Sequence, residues 1–169
     1  MIIVALGSNL TGPWGTPVQS LTRAIARLSH ERVEIVRVSD IFITAPVGPG
    51  RQAPYANCVA QIVSHKPPES LLSLFKMLEH QSGRRGLTPA WGPRTLDIDL
   101  LDYKRRIFRS PRLTLPHPHI SERPFVIEPL HQIIPEWIHP VTFRKVEILR
   151  QRCRNEIDGS ILSRQLFPA

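Results

Sequence analysis

The sequence predicts an α+β fold with a ferredoxin-like βαββαβ core, extended by a hairpin and C-terminal helices so that helices cover both faces of the sheet. Three observations point there: apolar residues recurring at helical spacing in two stretches, alternating valine- and isoleucine-rich runs around them, and the order strand, helix, strand, strand, helix, strand through residues 2–103.

The apolar run Ile2-Ile3-Val4-Ala5-Leu6 makes the first strand, and Gly7-Ser8-Asn9 ends it. From Pro17 to about His30, Val18, Leu21, Ile25 and Leu28 fall on one side of a helix, with Arg23 and Arg27 on the other. Residues 33–43 and 56–64 alternate and favour strands, joined through the Pro/Gly-rich Ala45-Pro46-Val47-Gly48-Pro49-Gly50. Pro67-Pro68-Glu69 opens the second helix, whose buried stripe is Leu71, Leu74, Phe75 and Leu78. The strand carrying Asp97-Ile98-Asp99 closes the core. A hairpin near residues 105–115, a helical segment from Ser121 to Gln132 and a helix near Phe143 to Arg154 follow and are placed to cover the second face. With 169 residues, 41% of them apolar, no internal repeat and no long linker, residues 1–169 are expected to form a single domain.

A net charge of +8 and a pI near 10.5 admit nucleic acid, an anionic membrane or phosphorylated small molecules as partners. An RNA-binding sheet would display stacking aromatics, whereas this chain is 7% aromatic and its strands offer no such platform, so no nucleic-acid partner is expected. The N-terminal apolar run is too short for a membrane span and lacks the basic lead of a secretory signal, so a cytoplasmic location without membrane contact is expected. Cys58 and Cys153 form no Cys-x-x-Cys pairing, which excludes a zinc ribbon and a disulfide framework.

Residues 91–102, Trp-Gly-Pro-Arg-Thr-Leu-Asp-Ile-Asp-Leu-Leu-Asp, hold the strongest chemical signal. On a pleated strand Asp97 and Asp99 project to one face, while Leu96, Ile98 and Leu100 point to the other. Their Cα atoms should lie about 6.5 to 7 Å apart, a span from which carboxylate oxygens can converge on one magnesium ion or on two. Aspartate is a poor strand former, so a pair within an apolar run calls for a compensating ligand. Arg94 adds a fixed cation suited to an anionic oxygen. The plain alternative, a solvated strand edge, fits less well beside the Gly92-Pro93 turn and flanks suited to burial.

Two long connections, residues 45–54 and 81–93, are candidates for function because compact domains favour short ones. The second contains Gly83-Arg84-Arg85-Gly86, a basic segment able to close over phosphates, with Trp91 at its end. Further on, Arg112, Thr114, His117 and Arg123 supply donors suited to phosphate and ribose oxygens. His117-x-His119 lacks a third ligand at zinc spacing.

Gly7-Ser8-Asn9-Leu10, Thr44-Ala45-Pro46-Val47-Gly48 with Tyr55-Ala56-Asn57, the run from Trp91 to Leu101, and Leu115-Pro116-His117-Pro118 with Arg123-Pro124-Phe125 occur together in one order. In that order and spacing, through about Pro135, the chain resembles the 6-hydroxymethyl-7,8-dihydropterin pyrophosphokinase family of folate biosynthesis. The resemblance implies an ATP-dependent enzyme that transfers pyrophosphate to the hydroxymethyl group of the reduced pterin and releases AMP. It implies that Asp97 and Asp99 hold two Mg²⁺ ions bridging the ATP phosphates, and that Arg84 and Arg94 are catalytic. By the same resemblance, the pterin lies between Tyr55 and Phe125, with Asn57, Thr44, Ala45 and Val47 completing its pocket. Glu79, Arg84, Trp91, Arg94, Leu100, Arg112, Thr114, His117 and Arg123 match nucleotide-site positions. The partners implied are ATP and the dihydropterin, served by a monomer.

Four departures from the family pattern are visible. Relatives often carry Arg-x-Arg in the basic loop and a basic residue before the tryptophan, where this chain has Arg84-Arg85-Gly86 and Ala90. Lys76 replaces a common glutamine, and Ala45 a usual proline or glutamate. None of these removes a metal ligand, so an active enzyme with altered loop closure is expected.

Overall fold

A computed structural model of the chain describes residues 1–47, 51–84, 92–153 and 159–168. The elements run β1 (Ile2–Ser8), α1 (Pro17–His30), β2 (Glu34–Val38), β3 (Ile41–Thr44), β4 (Tyr55–Val63), α2 (Pro68–Gln81), β5 (Asp97–Tyr103), β6 (Phe108–Arg109) and β7 (Thr114–Leu115). A 3₁₀ turn (Ile120–Glu122), α3 (Pro124–Ile133), α4 (Val146–Cys153) and β8 (Ile161–Gln165) complete the order. Among the described residues no helix is long and apolar enough to cross a membrane.

Helix α1 starts where its sequence says it should. Thr16 accepts the Gln19 amide N–H, the Gln19 side chain accepts the Thr16 N–H, and Pro17 pre-sets the first turn. Each of α2 and α3 likewise begins on a proline.

The main sheet has the order β5-β1-β4-β3-β8, with β2 also on β4, and every pair is antiparallel. Alternation along β1 divides the interior into two cores. Ile2, Val4 and Leu6 join Leu21, Leu28, Leu71, Phe75 and Leu78 beneath α1 and α2. Ile3 joins Val59, Ile127, Leu130, Trp137 and Leu149 beneath α3 and α4. Within β5, Ile98 and Leu100 enter the first core and Leu101 the second. Leu101 is an inserted residue, because Val4 pairs with Leu100 and Ile3 already pairs with Asp102. Asp102 is 1% exposed, and it accepts hydrogen bonds from the Trp137 indole at 2.9 Å and from the Arg105 amide at 2.8 Å.

The structure corrects the expected elements at three points. The strand expected over residues 33–43 is two strands, broken at Ser39-Asp40. There the Ser39 hydroxyl accepts the Val59 N–H while the Ser39 N–H donates to the Val59 carbonyl, and the Asp40 N–H turns away to the Gln132 side chain. Short polar side chains compete in this way with the ladder. The last expected helix, from Phe143, begins at Val146 because Phe143 adopts φ +56 in a turn closed onto His139; Arg154 lies outside the described residues. Strand β8 was not foreseen: its burial is low along its whole length, so no apolar alternation announces it.

Candidate active site

The first face of the sheet is filled by α1 and α2, whereas α3 and α4 cover the second face incompletely. At the ends of β1, β3, β4 and β5 that second face lines a cavity of about 440 Å³. Its walls bring together Thr44, Ala45, Val47, Tyr55, Asn57, Arg84, Arg94, Asp97, Asp99, His117, Arg123 and Phe125. Of the remaining candidates, Glu79 stands behind Arg84, and Leu100 is packed in the first core on the opposite face from the aspartates. Arg112 and Thr114 are exposed on the β6–β7 hairpin, away from the cavity lining. Trp91 lies outside the described residues, as do Arg85, Gly86 and Ala90.

Residues 7–10 position the acidic strand. Ser8 Oγ donates to the Thr95 carbonyl at 2.7 Å, and Asn9 Oδ1 accepts the Arg94 N–H at 2.8 Å. The Arg94 carbonyl in turn accepts the Asn9 and Leu10 N–H groups. Entry into β5 is therefore fixed by hydrogen bonds on both sides, and the period of two then sends Asp97 and Asp99 into the cavity.

Both aspartates face arginines. Arg84 Nη1 lies 2.5 Å from Asp97 Oδ1 and 2.7 Å from Glu79 Oε2, while Arg94 Nη1 lies 2.6 Å from Asp97 Oδ2. Arg123 Nη1 lies 3.0 Å from Asp99 Oδ2, and His117 Nε2 is 3.8 Å from the same oxygen. Burial alone would raise the Asp97 pKa, but the Arg94 and Arg84 charges outweigh it and hold the carboxyl below its usual value. Burial dominates at Glu79, whose pKa is raised despite Lys76. Its Oε1 accepts from Lys76 Nζ at 2.7 Å and from the Ile98 N–H at 3.0 Å, tying α2 to β5. Burial also depresses the His117 pKa against the pull of Asp99, favouring the neutral ring. His117 Nδ1 accepts the His119 N–H, so in that neutral ring Nε2 carries the proton and can donate.

Next to this cluster along the cavity wall, Asn57 Nδ2 donates to Thr44 Oγ1 at 2.9 Å, and the Tyr55 hydroxyl donates to the Gly92 carbonyl at 2.8 Å. Burial raises the Tyr55 pKa, which keeps that hydroxyl a donor. Between them Gly7 pairs with both Asn57 and Asp97 in the ladder, and a Cβ there would come within 2.8 Å of Asn57 Oδ1. Gly7 was not among the sequence candidates, although a glycine inside a strand run signals close approach by a ligand or another group. Lys76 and His119 also line the cavity; the sequence marks them only as a departure from the family pattern and as the second histidine of His117-x-His119, not as site candidates.

The donor set suits a hard cation. Among the described residues no group of three or more His, Cys, Asp or Glu could cage a metal. Two carboxylates at the mouth of a basic cavity match the sites where Mg²⁺ keeps waters and shares a substrate's phosphates. The arrangement can thus gather a polyanion in a cavity that Tyr55 and Phe125 also line.

A family model described as 7,8-dihydro-6-hydroxymethylpterin-pyrophosphokinase matches residues 3–135. The chain is 37% identical over 149 residues to the 2-amino-4-hydroxy-6-hydroxymethyldihydropteridine pyrophosphokinase of Haemophilus influenzae, covering 88% of this chain and 90% of that protein. It is 39% identical over 136 residues to the protein of the same name from Pseudomonas aeruginosa, covering 80% and 81%. Among solved structures, a Plasmodium falciparum HPPK-DHPS crystal structure with pteroate superposes with a TM-score of 0.68 at 13% identity, covering 89% of this chain and 44% of that one. This chain spans less than half of that larger protein, and the likeness concerns the fold.

Proposed function

The chain belongs to the 7,8-dihydro-6-hydroxymethylpterin-pyrophosphokinase family, and we propose that Asp97 and Asp99 are the metal-holding pair with which it performs that family's reaction. It is an ATP-dependent pyrophosphokinase of folate biosynthesis, transferring pyrophosphate from ATP to the hydroxymethyl group of 6-hydroxymethyl-7,8-dihydropterin and releasing AMP. The observation that supports the assignment of the pair is their convergence into a basic cavity that Tyr55, Asn57, Thr44 and Phe125 also line.

The hydroxymethyl oxygen attacks the β-phosphorus and releases its proton to solvent, the bond from that phosphorus to the α-phosphate bridging oxygen breaks, and AMP leaves with that oxygen. Bound at Asp97 and Asp99, two Mg²⁺ ions would neutralise phosphate charge and acidify the attacking hydroxyl. Arg84 and Arg94 hold phosphate oxygens, a task for which their guanidiniums are already gathered at the carboxylates. Arg123 and the Nε2–H of neutral His117 donate to the same polyanion from the Asp99 side. Tyr55, anchored through its hydroxyl, and Phe125 clasp the flat ring, and Asn57, held by Thr44, reads its polar edge. No strong protein base is required, because positioning and charge neutralisation supply most of the acceleration. Glu79 serves the nucleotide side by holding Lys76 and Arg84; Arg112 and Thr114, exposed on the β6–β7 hairpin, and Trp91 are read as its outer rim, while the Leu100 side chain is buried away from it.

The strand order β5-β1-β4-β3 supports a ferredoxin-like core in which β2 and β3 together take the place of one strand. We also take residues 1–169 as one domain, supported by two cores that share one sheet, working as a cytoplasmic monomer on small molecules. Incubation with ATP, Mg²⁺ and the hydroxymethyl dihydropterin tests the reading through its nucleotide product. AMP is expected; ADP, or no pterin-dependent turnover, would sink it.

A further inference from the structure

Beyond the family match, which ends at residue 135, the chain returns to the cavity through Gly159, Ser160 and β8. Strand β8 pairs with β3 as far as Thr44, and the Ser160 carbonyl accepts the Ala45 N–H at 2.9 Å, so the C-terminal segment braces the backbone of the slot wall. Gly159 is buried at φ +74, where an added Cβ would come within 2.8 Å of Phe125 Cδ1 and 3.1 Å of Val47 Cγ2. Both of those side chains line the cavity. The segment is anchored further along: Arg164 Nε lies 3.3 Å from Asp40 Oδ2, and the same oxygen accepts from Gln132 of α3, the helix that carries Phe125. Phe167 packs against the first core.

We propose that Gly159 is a positioning residue for the pterin slot: its bare backbone backs the Phe125 ring and the Val47 side chain, and β8 holds it there, so that the C-terminal segment sets the width of the slot. Any side chain at position 159 would drive Phe125 or Val47 toward the space the heterocycle occupies. Arg84, Arg94, Asp97 and Asp99 are held from α2 and residues 7–10, apart from this segment, and Arg123, 5.7 Å over the Phe125 ring, is the point at which a shift of that ring would reach the nucleotide side. The inference rests on the pterin-slot reading above, and the effect is therefore selective for one substrate.

The test compares the full-length protein with Gly159→Ala and Gly159→Asn, reading KM for the dihydropterin, KM for ATP, and direct binding of the dihydropterin in the presence of a non-hydrolysable ATP analogue. Both variants should raise the pterin KM by about tenfold or more while the ATP KM stays within about twofold. Asparagine tolerates positive φ better than alanine, so it should recover thermal stability without recovering pterin affinity. Equal changes in both KM values, or a lowered Tm with unchanged pterin KM, overturn the proposal. If neither variant folds, Arg164→Gln decides by loosening the anchor alone: a selective rise in pterin KM supports the proposal, and wild-type values for both substrates overturn it. Wild-type protein that fails to bind the dihydropterin at all would instead remove the slot reading itself.

Discussion

Arg84 and Asp97 are in direct contact, Nη1 to Oδ1 at 2.5 Å, so one of the two carboxylates proposed to hold Mg²⁺ is already charge-compensated by a residue from the basic loop. The same guanidinium reaches Glu79 at 2.7 Å, which ties the start of that loop to α2 and β5 together. Nucleotide and metal thus enter a site whose charges are already paired, and binding exchanges the arginine–carboxylate contacts for arginine–phosphate and carboxylate–metal ones.

Replacing Asp97 with alanine should lower AMP formation by about 10³-fold or more while leaving the fold intact. Arg84 keeps Glu79 and Arg94 keeps the Gly92 carbonyl, so no isolated charge is left buried. Turnover assays and a thermal melt of the same preparation check this. A variant with wild-type turnover would remove Asp97 from the chemistry.

Chelation should separate activity from stability. With EDTA in excess AMP formation should cease, yet the melting temperature of the ligand-free protein should not move, because Asp97 and Asp99 already pair with Arg94, Arg84 and Arg123. A drop of several degrees on chelation would reveal a structural metal that this reading does not contain.

His139 predicts a stability that falls on acidification. The ring is 7% exposed, and Nδ1 accepts the Val141 and Thr142 N–H groups, a role open only to the unprotonated nitrogen. Burial pushes its pKa below the ordinary 6.5, against a smaller opposing pull from Asp102. The folded state therefore binds fewer protons than the unfolded one between its own pKa and 6.5, and the contribution, complete above 6.5, is lost as pH falls through the folded value. Melting temperatures from about pH 8 to about pH 5 should fall more for wild type than for His139→Asn, whose amide oxygen can accept the same bonds. Parallel curves would contradict the assignment.

Asp102, third acid of the sequence run, predicts a stability effect rather than a catalytic one. Asp102→Ala leaves the Trp137 indole N–H buried without its acceptor and uncaps the Arg105 turn, which should cost about 2–3 kcal/mol in urea unfolding. The KM values of the folded fraction should stay unchanged. A loss below about 0.5 kcal/mol would mean that the buried carboxylate is not needed there.

Much of this was legible in the chain because period and spacing carry it. The alternation Asp97, Ile98, Asp99, Leu100 places acids and core side chains on opposite faces in the structure as it does on paper. The prolines at 17 and 68 mark helix starts, and the twelve cavity-lining candidates converge although they come from segments up to 81 residues apart, from Thr44 to Phe125. What escaped has a physical reason in each case. Ser39-Asp40 breaks a strand through side-chain bonds to partners 20 and 92 residues away, which no local window contains. Strand β8 carries no buried face, so its pairing with β3 rests on backbone groups and on Arg164, which reaches Asp40 and the Phe42 ring, not on an apolar pattern. The role of Gly7 is the absence of atoms, visible only when Asn57 Oδ1 is seen beside it.

The extra residue in β5 decides where that strand can change length. Because Leu101 is supernumerary to the ladder, losing it would leave Asp97 and Asp99 facing outward and Asp102 still turned to Trp137, at the expense of one core side chain. Losing Ile98 instead would make the acids neighbours and drive one of them into hydrocarbon. Any shortening that spares the carboxylate pair must therefore fall beyond it, and even there it reaches a neighbour, because the Leu101 carbonyl accepts the His117 N–H at 2.9 Å.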